Sequence, residues 1–125
     1  MPQLDYPVLF LATANAERAR AFYERVLGLT FLADEPPALV FKVGDRMLRI
    51  QKVERVSAAP YTALGWAVPD IRQTVRELTS AGITFQRFAG MDQDSDGIWH
   101  APSGALVAWF QDPDDHVLSL TQFPP

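Results

Sequence analysis

"GLTFLA" at residues 28–33 recurs as "GITFQR" at residues 82–87, so that the two leading glycines stand 54 positions apart. A chance match of four residues should not extend into the sequence on either side, so the flanking periodicity tests whether the chain is an internal repeat. Both copies follow an apolar, strand-like run and then a segment with helical spacing, in YPVLFLATANAERARAFYERVL and YTALGWAVPDIRQTVRELTSA. The match therefore indicates a duplicated structural unit.

The two helical segments align with one deletion in the second. The apolar face of the first comprises Ala19, Phe22, Tyr23 and Val26, and that of the second Ile71, Val75 and Leu78. Asn15 and Asp70 are suited to capping these helices and are 55 positions apart. Gly28 and Gly82 then follow the helix ends, where a left-handed backbone favours glycine.

Each helical segment is followed by further strand-like runs. These are LTFLA, ALVFKV and RMLRIQKV in the first half, and ITFQRF, GIWHA, ALVAWFQ and HVLSLTQF in the second. The pattern predicts an α+β fold in one domain, residues 1–125, with βαβββ units at 6–52 and 61–123 and a linker at 53–60. Because one helix covers only one face of a four-stranded sheet, we expect the two mixed sheets to enclose a central cavity.

The composition of the chain argues against several classes of function. The chain has 125 residues, of which 48% are hydrophobic and 21% charged, and its net charge is −4 with scattered basic residues. Nucleic acid is therefore not an expected partner. The absence of cysteine excludes disulfides, thiolate catalysis and thiolate metal ligands. Neither a signal-peptide pattern nor an apolar run of membrane-spanning length is present, so we expect a cytoplasmic protein that does not enter membranes.

Three segments, ARAFYERVLGLTF, WAVPDIRQTVRELTSAGITF and AWFQDPDDHVLSL, together resemble the vicinal oxygen chelate superfamily. This superfamily includes glyoxalase I, extradiol dioxygenases, fosfomycin-resistance enzymes and bleomycin-resistance proteins. The resemblance covers nearly the whole chain. Asp115 stands where the closing hairpin of the family usually carries glycine, and Asp tolerates the left-handed backbone region better than most residues.

The resemblance implies a divalent metal held by the first and last strand of each unit. The corresponding positions here are Val8, Ala63, Arg49 and Ser119, with Gln51 available only if the register slips by one residue. Two of these side chains are apolar, one is a fixed cation and one is a weak ligand. A catalytic divalent site needs about three good protein ligands, so we predict that the metal site is absent and that the protein has no cofactor.

Three other features suggest metal or acid–base chemistry. DQDSDG at residues 92–97 matches the first half of an EF-hand loop, but Ser103 occupies the closing position, so we interpret the segment as an acidic loop. His116 is interpreted as a solvent-facing turn residue. His100 is either a partly exposed strand residue or an acid–base group that points into the cavity.

Strand alternation predicts which side chains face the cavity. A row of small residues, Ala63, Gly65 and Ala67, leaves room beside aromatic walls. The candidate ligand-binding residues are Phe10, Arg49, Gln51, Trp99, His100, Trp109 and Ser119. Such a pocket suits a planar or apolar molecule, and Arg49 offers a contact for a carboxylate or phosphate unless it pairs with an acidic neighbour.

The leading prediction is a metal-free protein that binds a small organic molecule, resembling the bleomycin-resistance branch. The alternative is a glyoxalase- or dioxygenase-like lyase or oxidoreductase with an unusual metal site or with His100 as acid–base group. A third possibility is a structural or interaction module whose cavity is filled by side chains. Internal repeats of this kind are readily reused between copies of a chain, so we expect a homodimer.

Overall fold

A computed structural model describes residues 1–125, which form two compact units, Met1–Ser57 and Ala58–Pro125. Each unit contains one four-stranded mixed sheet and one main helix. This arrangement confirms the predicted α+β class and the two tandem βαβββ units. None of the helices has the length and apolar character needed to span a membrane.

The first unit places its helix between the first and second of its strands. Its elements are β1 (Leu9–Thr13), α1 (Ala16–Ala21), β2 (Thr30–Asp34), β3 (Ala38–Val43) and β4 (Arg46–Lys52). The strand order across the sheet is β1-β4-β3-β2, in which β1 runs parallel to β4 and the other neighbours are antiparallel.

The second unit repeats this topology. Its elements are β5 (Thr62–Ala67), α2 (Ile71–Ser80), β6 (Trp99–His100), β7 (Leu106–Gln111) and β8 (Val117–Gln122). The order is β5-β8-β7-β6, again with one parallel pair, β5 and β8. Because the strand order matches position by position, the sequence repeat is a repeat of structure.

The predicted helix boundaries are confirmed in both units. Asn15 accepts a hydrogen bond from the backbone N–H of Arg18, and Asp70 accepts one from the N–H of Gln73. These bonds satisfy donors that have no partner within the helix. Gly28 has a φ of 72° and Gly82 a φ of 99°, as expected for a glycine that ends a helix.

The first helix continues beyond α1 as a π-helical turn, Phe22–Val26, which the sequence pattern did not reveal. The N–H of Leu27 donates to the carbonyl of Phe22 over 3.0 Å, five residues back. Phe22 and Tyr23 are adjacent and both buried, and Tyr23 contacts Phe41 of β3. A wider turn accommodates two neighbouring aromatic side chains on the sheet side of one helix.

The prediction of a strand at residues 83–88 is wrong. This segment is joined to β7 by a hydrogen bond from the N–H of Gln86 to the carbonyl of Trp109, 2.8 Å long, but does not form a strand. The outer position of the sheet is taken by β6, which has two residues. Several backbone groups of the segment bond instead to a side chain of the following loop, which is described below.

The interpretation of His116 as solvent-facing is also wrong, because this residue is only 8% exposed. One carboxylate oxygen of Asp112 accepts the backbone N–H groups of Asp114 and His116, both at 2.9 Å. The carboxylate thereby closes the β7–β8 hairpin and fixes His116 directly before β8. Asp115 takes the left-handed conformation that its position required, with a φ of 68°.

Each sheet has two unlike faces. In the first sheet Leu11, Ile50 and Leu39 share one row across three strands and are buried. The neighbouring residue Phe10 points to the other face and is 53% exposed. In the second sheet Ala63, Gly65 and Ala67 are likewise exposed. Each unit therefore has one open sheet face that carries apolar side chains.

Candidate functional site

The register of the second sheet places Trp99 and Trp109 on its open face. Gly65, Ser119 and Trp109 form one row across β5, β8 and β7, and Trp99 is in the next row opposite Val107. The two indole rings have centroids 6.1 Å apart and are inclined by 37°. Both tryptophans that the sequence analysis assigned to a ligand site are therefore neighbours.

Trp109 is held from two sides. Its indole N–H donates to the hydroxyl of Thr62 over 3.1 Å, which fixes the ring relative to β5. The ring of Phe88 meets Trp109 edge to face, with centroids 5.4 Å apart and an angle of 90°. This geometry is one that aromatic pairs favour, because the positive ring edge meets the negative ring face. We refer to Phe88, Trp99 and Trp109 as the aromatic cluster.

A pocket of about 210 Å³ opens beside the aromatic cluster. It is lined by Pro60, Tyr61, Thr62, Phe88, Met91, Trp109 and Val117. None of these side chains is charged, and most are aromatic or aliphatic. The volume is below the roughly 300 Å³ of a small drug site, so the pocket fits one ring system or one end of a larger molecule.

Gly65 is in the row of Trp109 and has no room for a side chain. A Cβ atom at this position would lie 2.4 Å from the hydroxyl oxygen of Ser119, closer than any real contact of this kind. Ser119 is 8% exposed and lies between Gly65 and Trp109 in the same row. The two residues beside Trp109 in this row are therefore small, and no bulky side chain lies against this side of the indole ring.

In the first unit, Arg49 has an acidic partner. Its guanidinium donates to the carboxylate of Glu35 over 2.8 Å, and the Arg49 side chain is three-quarters buried. Phe10 lies opposite Arg49 in the register and Gln51 is one row further along the same face. Because Glu35 neutralises the guanidinium, Arg49 is a poor contact for a carboxylate or phosphate.

The metal positions implied by the fold family do not suit a metal ion. Val8 and Ala63 have no donor atoms, Arg49 is paired with Glu35, and the hydroxyl of Ser119 is packed against Gly65. The chain has no group of three His, Cys, Asp or Glu side chains arranged to hold a metal ion. The residues present therefore do not fit a divalent metal at the family's position.

His100 lies on the opposite face of the sheet from Trp99, its neighbour in β6, and faces Leu106 in the register. Its side chain is 61% exposed, and its Nε2 atom is 3.7 Å from a carboxylate oxygen of Asp94. The structure thus separates His100 from the aromatic cluster. It places this imidazole beside the acidic loop instead.

The acidic loop at residues 92–97 is tied to α2 by ion pairs. Arg72 donates to Asp94 over 3.0 Å and to Asp96 over 2.6 Å. Partial burial would raise the pKa of Asp94, but hydrogen bonds from Arg72 and from the backbone N–H groups of Ile98 and Asp96 hold the pKa below its ordinary value. These carboxylates are engaged by a guanidinium, which agrees with a structural role for the loop.

Six of the seven lining residues were not predicted from the sequence, namely Pro60, Tyr61, Thr62, Phe88, Met91 and Val117. Tyr61 and Thr62 lie at the start of the first strand of the second unit, where strand alternation gives little guidance. Phe88 was assigned to a regular strand, and Met91 belongs to the loop that follows it. Of the predicted ligand-binding residues, Trp109 lines this pocket, and Trp99 is its neighbour on the same sheet face.

Comparison with solved structures shows the same fold. A lactoylglutathione lyase from Agrobacterium tumefaciens is 18% identical, with a TM-score of 0.75, and the match covers 98% of this chain and 96% of that one. A bleomycin resistance determinant encoded on the transposon Tn5 is 21% identical, with a TM-score of 0.75 and coverage of 98% and 100%. A bleomycin-binding protein complexed with bleomycin is 21% identical, with a TM-score of 0.74 and coverage of 97% and 100%.

Comparison of sequences shows the family. No curated protein matches the chain significantly. The family model Glyoxalase/Bleomycin resistance protein/Dioxygenase superfamily matches residues 3–120, which is nearly the whole chain. This match confirms the resemblance drawn from the three sequence segments. The chain belongs to the Glyoxalase/Bleomycin resistance protein/Dioxygenase superfamily.

Proposed function

We propose that the protein binds a small, planar, largely uncharged organic molecule without a metal, in the pocket beside the aromatic cluster. The observation that carries this proposal is the open, uncharged pocket of about 210 Å³ whose wall is Trp109, with Phe88 edge-on to it. Binding of this kind stabilises or sequesters the ligand and involves no chemical step.

The chemistry of the lining favours a flat apolar ligand. Aromatic pairs contribute about 0.5–1.5 kcal/mol beyond the burial of their area, and Tyr61, Phe88 and Trp109 offer three rings. A charged ligand group would find no counter-ion, since no charged side chain lines the pocket. Arg49, which the sequence offered as an anion contact, is paired with Glu35. The uncharged end of a ligand therefore belongs in this pocket.

The similar proteins suggest the first compounds to test. One structural neighbour is a bleomycin-binding protein complexed with bleomycin, so bleomycin belongs in a ligand panel together with simple planar aromatic molecules. Another neighbour is a lactoylglutathione lyase, an enzyme. Because the family resemblance implies a divalent metal for catalysis, measuring the metal content separates binding from catalysis.

We also propose that the protein is a homodimer in the cytoplasm. Large apolar side chains are exposed in both units, including Phe10 and Leu32 in the first and Phe123 in the second. Soluble monomers rarely expose extended apolar patches. A second copy of the chain would cover such surfaces.

Tryptophan fluorescence tests the binding proposal. Metal-free protein is titrated with the panel, and we expect at least one planar aromatic ligand to give a saturable change. Trp109→Leu should weaken that binding at least tenfold, because it removes the wall of the pocket. Trp66→Phe is the matched control. Trp66 pairs with Leu120 in the register and so lies on the sheet face away from the pocket, and its indole N–H has no hydrogen-bond partner to lose.

Two results would contradict the proposal. One is a flat response of the metal-free protein across the whole panel. The other is stoichiometric nickel, zinc, iron or manganese in protein purified without chelator, together with loss of ligand binding when that metal is removed. The second result would favour an enzyme with a metal site outside the family's positions.

A further inference from the structure

The second unit departs from its repeat at the edge that carries the aromatic cluster. In the first unit the corresponding edge is β2, a five-residue strand paired with β3. In the second unit the chain leaves the sheet after Gln86 and returns at Trp99. Phe88 lies in the excursion between these points. A backbone without a strand ladder needs other hydrogen-bond partners to hold such a side chain in one place.

The side chain of Gln93 supplies those partners. Its amide oxygen accepts the backbone N–H of Phe88 over 2.8 Å. Its amide nitrogen donates to the carbonyls of Gln86 and Gly97, each over 2.9 Å. Both N–H groups and one lone pair of the amide are therefore used, and all three partners are backbone groups. One half-buried side chain therefore bonds three backbone groups, two of which belong to the segment expected as a strand.

These bonds connect the two flanks of the aromatic cluster. On one side Gln93 holds the N–H of Phe88, whose ring is edge-on to Trp109. On the other side the Gln93 amide holds the carbonyl of Gly97, two residues before Trp99, and the backbone of Gln93 forms an isolated antiparallel bridge with Trp99, whose ring neighbours Trp109. Trp109 itself is fixed separately by Thr62. Gln93 thus sets the two outer rings relative to the central one.

Other interactions hold the rest of this loop. Arg87 donates to the backbone carbonyls of Asp94 and Ser95 over 2.9 and 2.8 Å. Arg72 binds the carboxylates of Asp94 and Asp96. The attachment of the loop to α2 therefore does not depend on Gln93, and its loss should disturb the position of Phe88 and Trp99 more than the fold.

We propose that Gln93 is a positioning residue that shapes the pocket by holding Phe88 and Trp99 on either side of Trp109. This inference rests on the proposed binding function, and it adds that a side chain outside the lining of the pocket fixes the aromatic wall against which the ligand packs. No other side chain serves as well. Glutamate would direct a carboxylate at two carbonyl oxygens, and asparagine is one methylene shorter.

Two variants test this role. Gln93→Met keeps the length of the side chain but removes its hydrogen bonds, and Gln93→Glu places a charge against the carbonyls of Gln86 and Gly97. The matched control is Gln73→Met, because the Gln73 amide bonds Glu77 on the exposed face of α2 and touches no part of the pocket. Each variant is first studied without ligand, by the exciton circular dichroism of the Trp99–Trp109 pair, with Trp99→Phe as the blank.

We expect both Gln93 variants to lose at least half of the tryptophan-pair signal and to bind the best planar ligand at least fivefold more weakly. Gln73→Met should change neither quantity. An unchanged pair signal and affinity in Gln93→Met would overturn the inference even if the ligand binds the natural protein. If no ligand of the panel binds the natural protein, the proposed function fails, whereas the pair signal still decides the role of Gln93.

A measurement on the natural protein covers the case in which the variants do not fold. Phe88 is in an exposed segment, so its backbone N–H should exchange rapidly with solvent unless Gln93 holds it. We expect its hydrogen exchange to be at least tenfold slower than that of the exposed N–H of Ala89. Equal exchange rates for these two neighbours would overturn the inference.

Discussion

At the scale of single residues, the smallest side chain on the second sheet determines the surface beside Trp109. Gly65 does not have a positive φ, so glycine is required here because a Cβ atom would not fit. A Cβ atom there would meet the Ser119 hydroxyl at 2.4 Å and the Ser119 carbonyl at 3.3 Å. The family resemblance identified Ser119 as a lost metal position, but only the structure shows that this serine depends on a glycine in the neighbouring strand.

A pair of substitutions measures this dependence. Gly65→Ala should lower the free energy of unfolding by about 1–2 kcal/mol, the usual cost of overpacking, because the Ser119 hydroxyl must rotate away. Gly65→Ala combined with Ser119→Ala removes the clashing oxygen and should recover most of this loss. Urea denaturation of the two variants and of Ser119→Ala gives the comparison. If Gly65→Ala and the double variant Gly65→Ala/Ser119→Ala are equally stable, the Ser119 hydroxyl is not the cause of the loss.

At the scale of elements, features that depend on residues close in the sequence could be predicted, and features that depend on distant residues could not. The helices are capped by Asn15 and Asp70 as predicted, because a cap bonds to a backbone group only three residues away. The strand expected at residues 83–88 did not form, and two of its backbone groups, the N–H of Phe88 and the carbonyl of Gln86, bond instead to the side chain of Gln93 in the next loop. Likewise, the π-helical turn depends on burying Phe22 and Tyr23 together against the sheet, which helical periodicity does not encode.

The candidate site was predicted only in part for a similar reason. Trp99 and Trp109 were predicted as flat apolar walls from their residue type, and the register of the folded sheet places both on one face. The placement of His100 on the other face depends on the exact register of a two-residue strand. The neutralisation of Arg49 by Glu35 joins residues 14 positions apart, one in β4 and one in the connection between β2 and β3. Such pairings are fixed by the folded sheet and not by local sequence.

The ion pairs between the acidic loop and α2 predict how stability depends on pH. The pKa of Asp94 is lowered in the folded chain, so its contribution is present above its ordinary value of 3.8 and is lost as the pH falls below it. Asp94→Asn should therefore lower the free energy of unfolding at pH 7 by about 0.5–1 kcal/mol, the range for a partly exposed ion pair, because the asparagine oxygen can still accept the backbone N–H groups of Asp96 and Ile98.

Urea denaturation at a series of pH values checks this prediction. The difference between Asp94→Asn and the natural protein should shrink steadily below pH 3.8 as the natural carboxylate becomes protonated. Asp92→Asn serves as the control, because Asp92 is exposed. A difference that stays constant from pH 7 down to the acid limit would show that the charge of Asp94 is not responsible.

At the scale of the whole molecule, the two units have the same backbone topology but different open faces. The first face has the exposed ring of Phe10 and the neutralised Arg49, whereas the second has the aromatic cluster. A duplicated framework with divergent side chains is what the sequence repeat predicted, because the repeat was strongest in helix caps and turn glycines. Arg49 and the aromatic cluster lie outside the recurring segments, whereas Phe10 lies in the strand-like run of the first copy.

The exposed apolar side chains predict association. Sedimentation equilibrium at micromolar concentration should give a species of about twice the chain mass of 13.9 kDa. Burial of exposed side chains such as Phe10 and Leu32 supplies the driving force. A single species of 13.9 kDa under these conditions would contradict a homodimer.

The short β6 and the irregular β2 have a consequence for aggregation. Regular strands at the rim of a sheet invite pairing with another chain and growth into fibrils. Here the rim of the second sheet has a strand of only two residues, and the corresponding strand of the first sheet has a register shift between Phe31 and Ala33. Neither rim presents a long, even ladder of free backbone groups. The molecule can therefore keep apolar sheet faces open for binding while these two rims resist the uncontrolled polymerisation to which such sheets are prone.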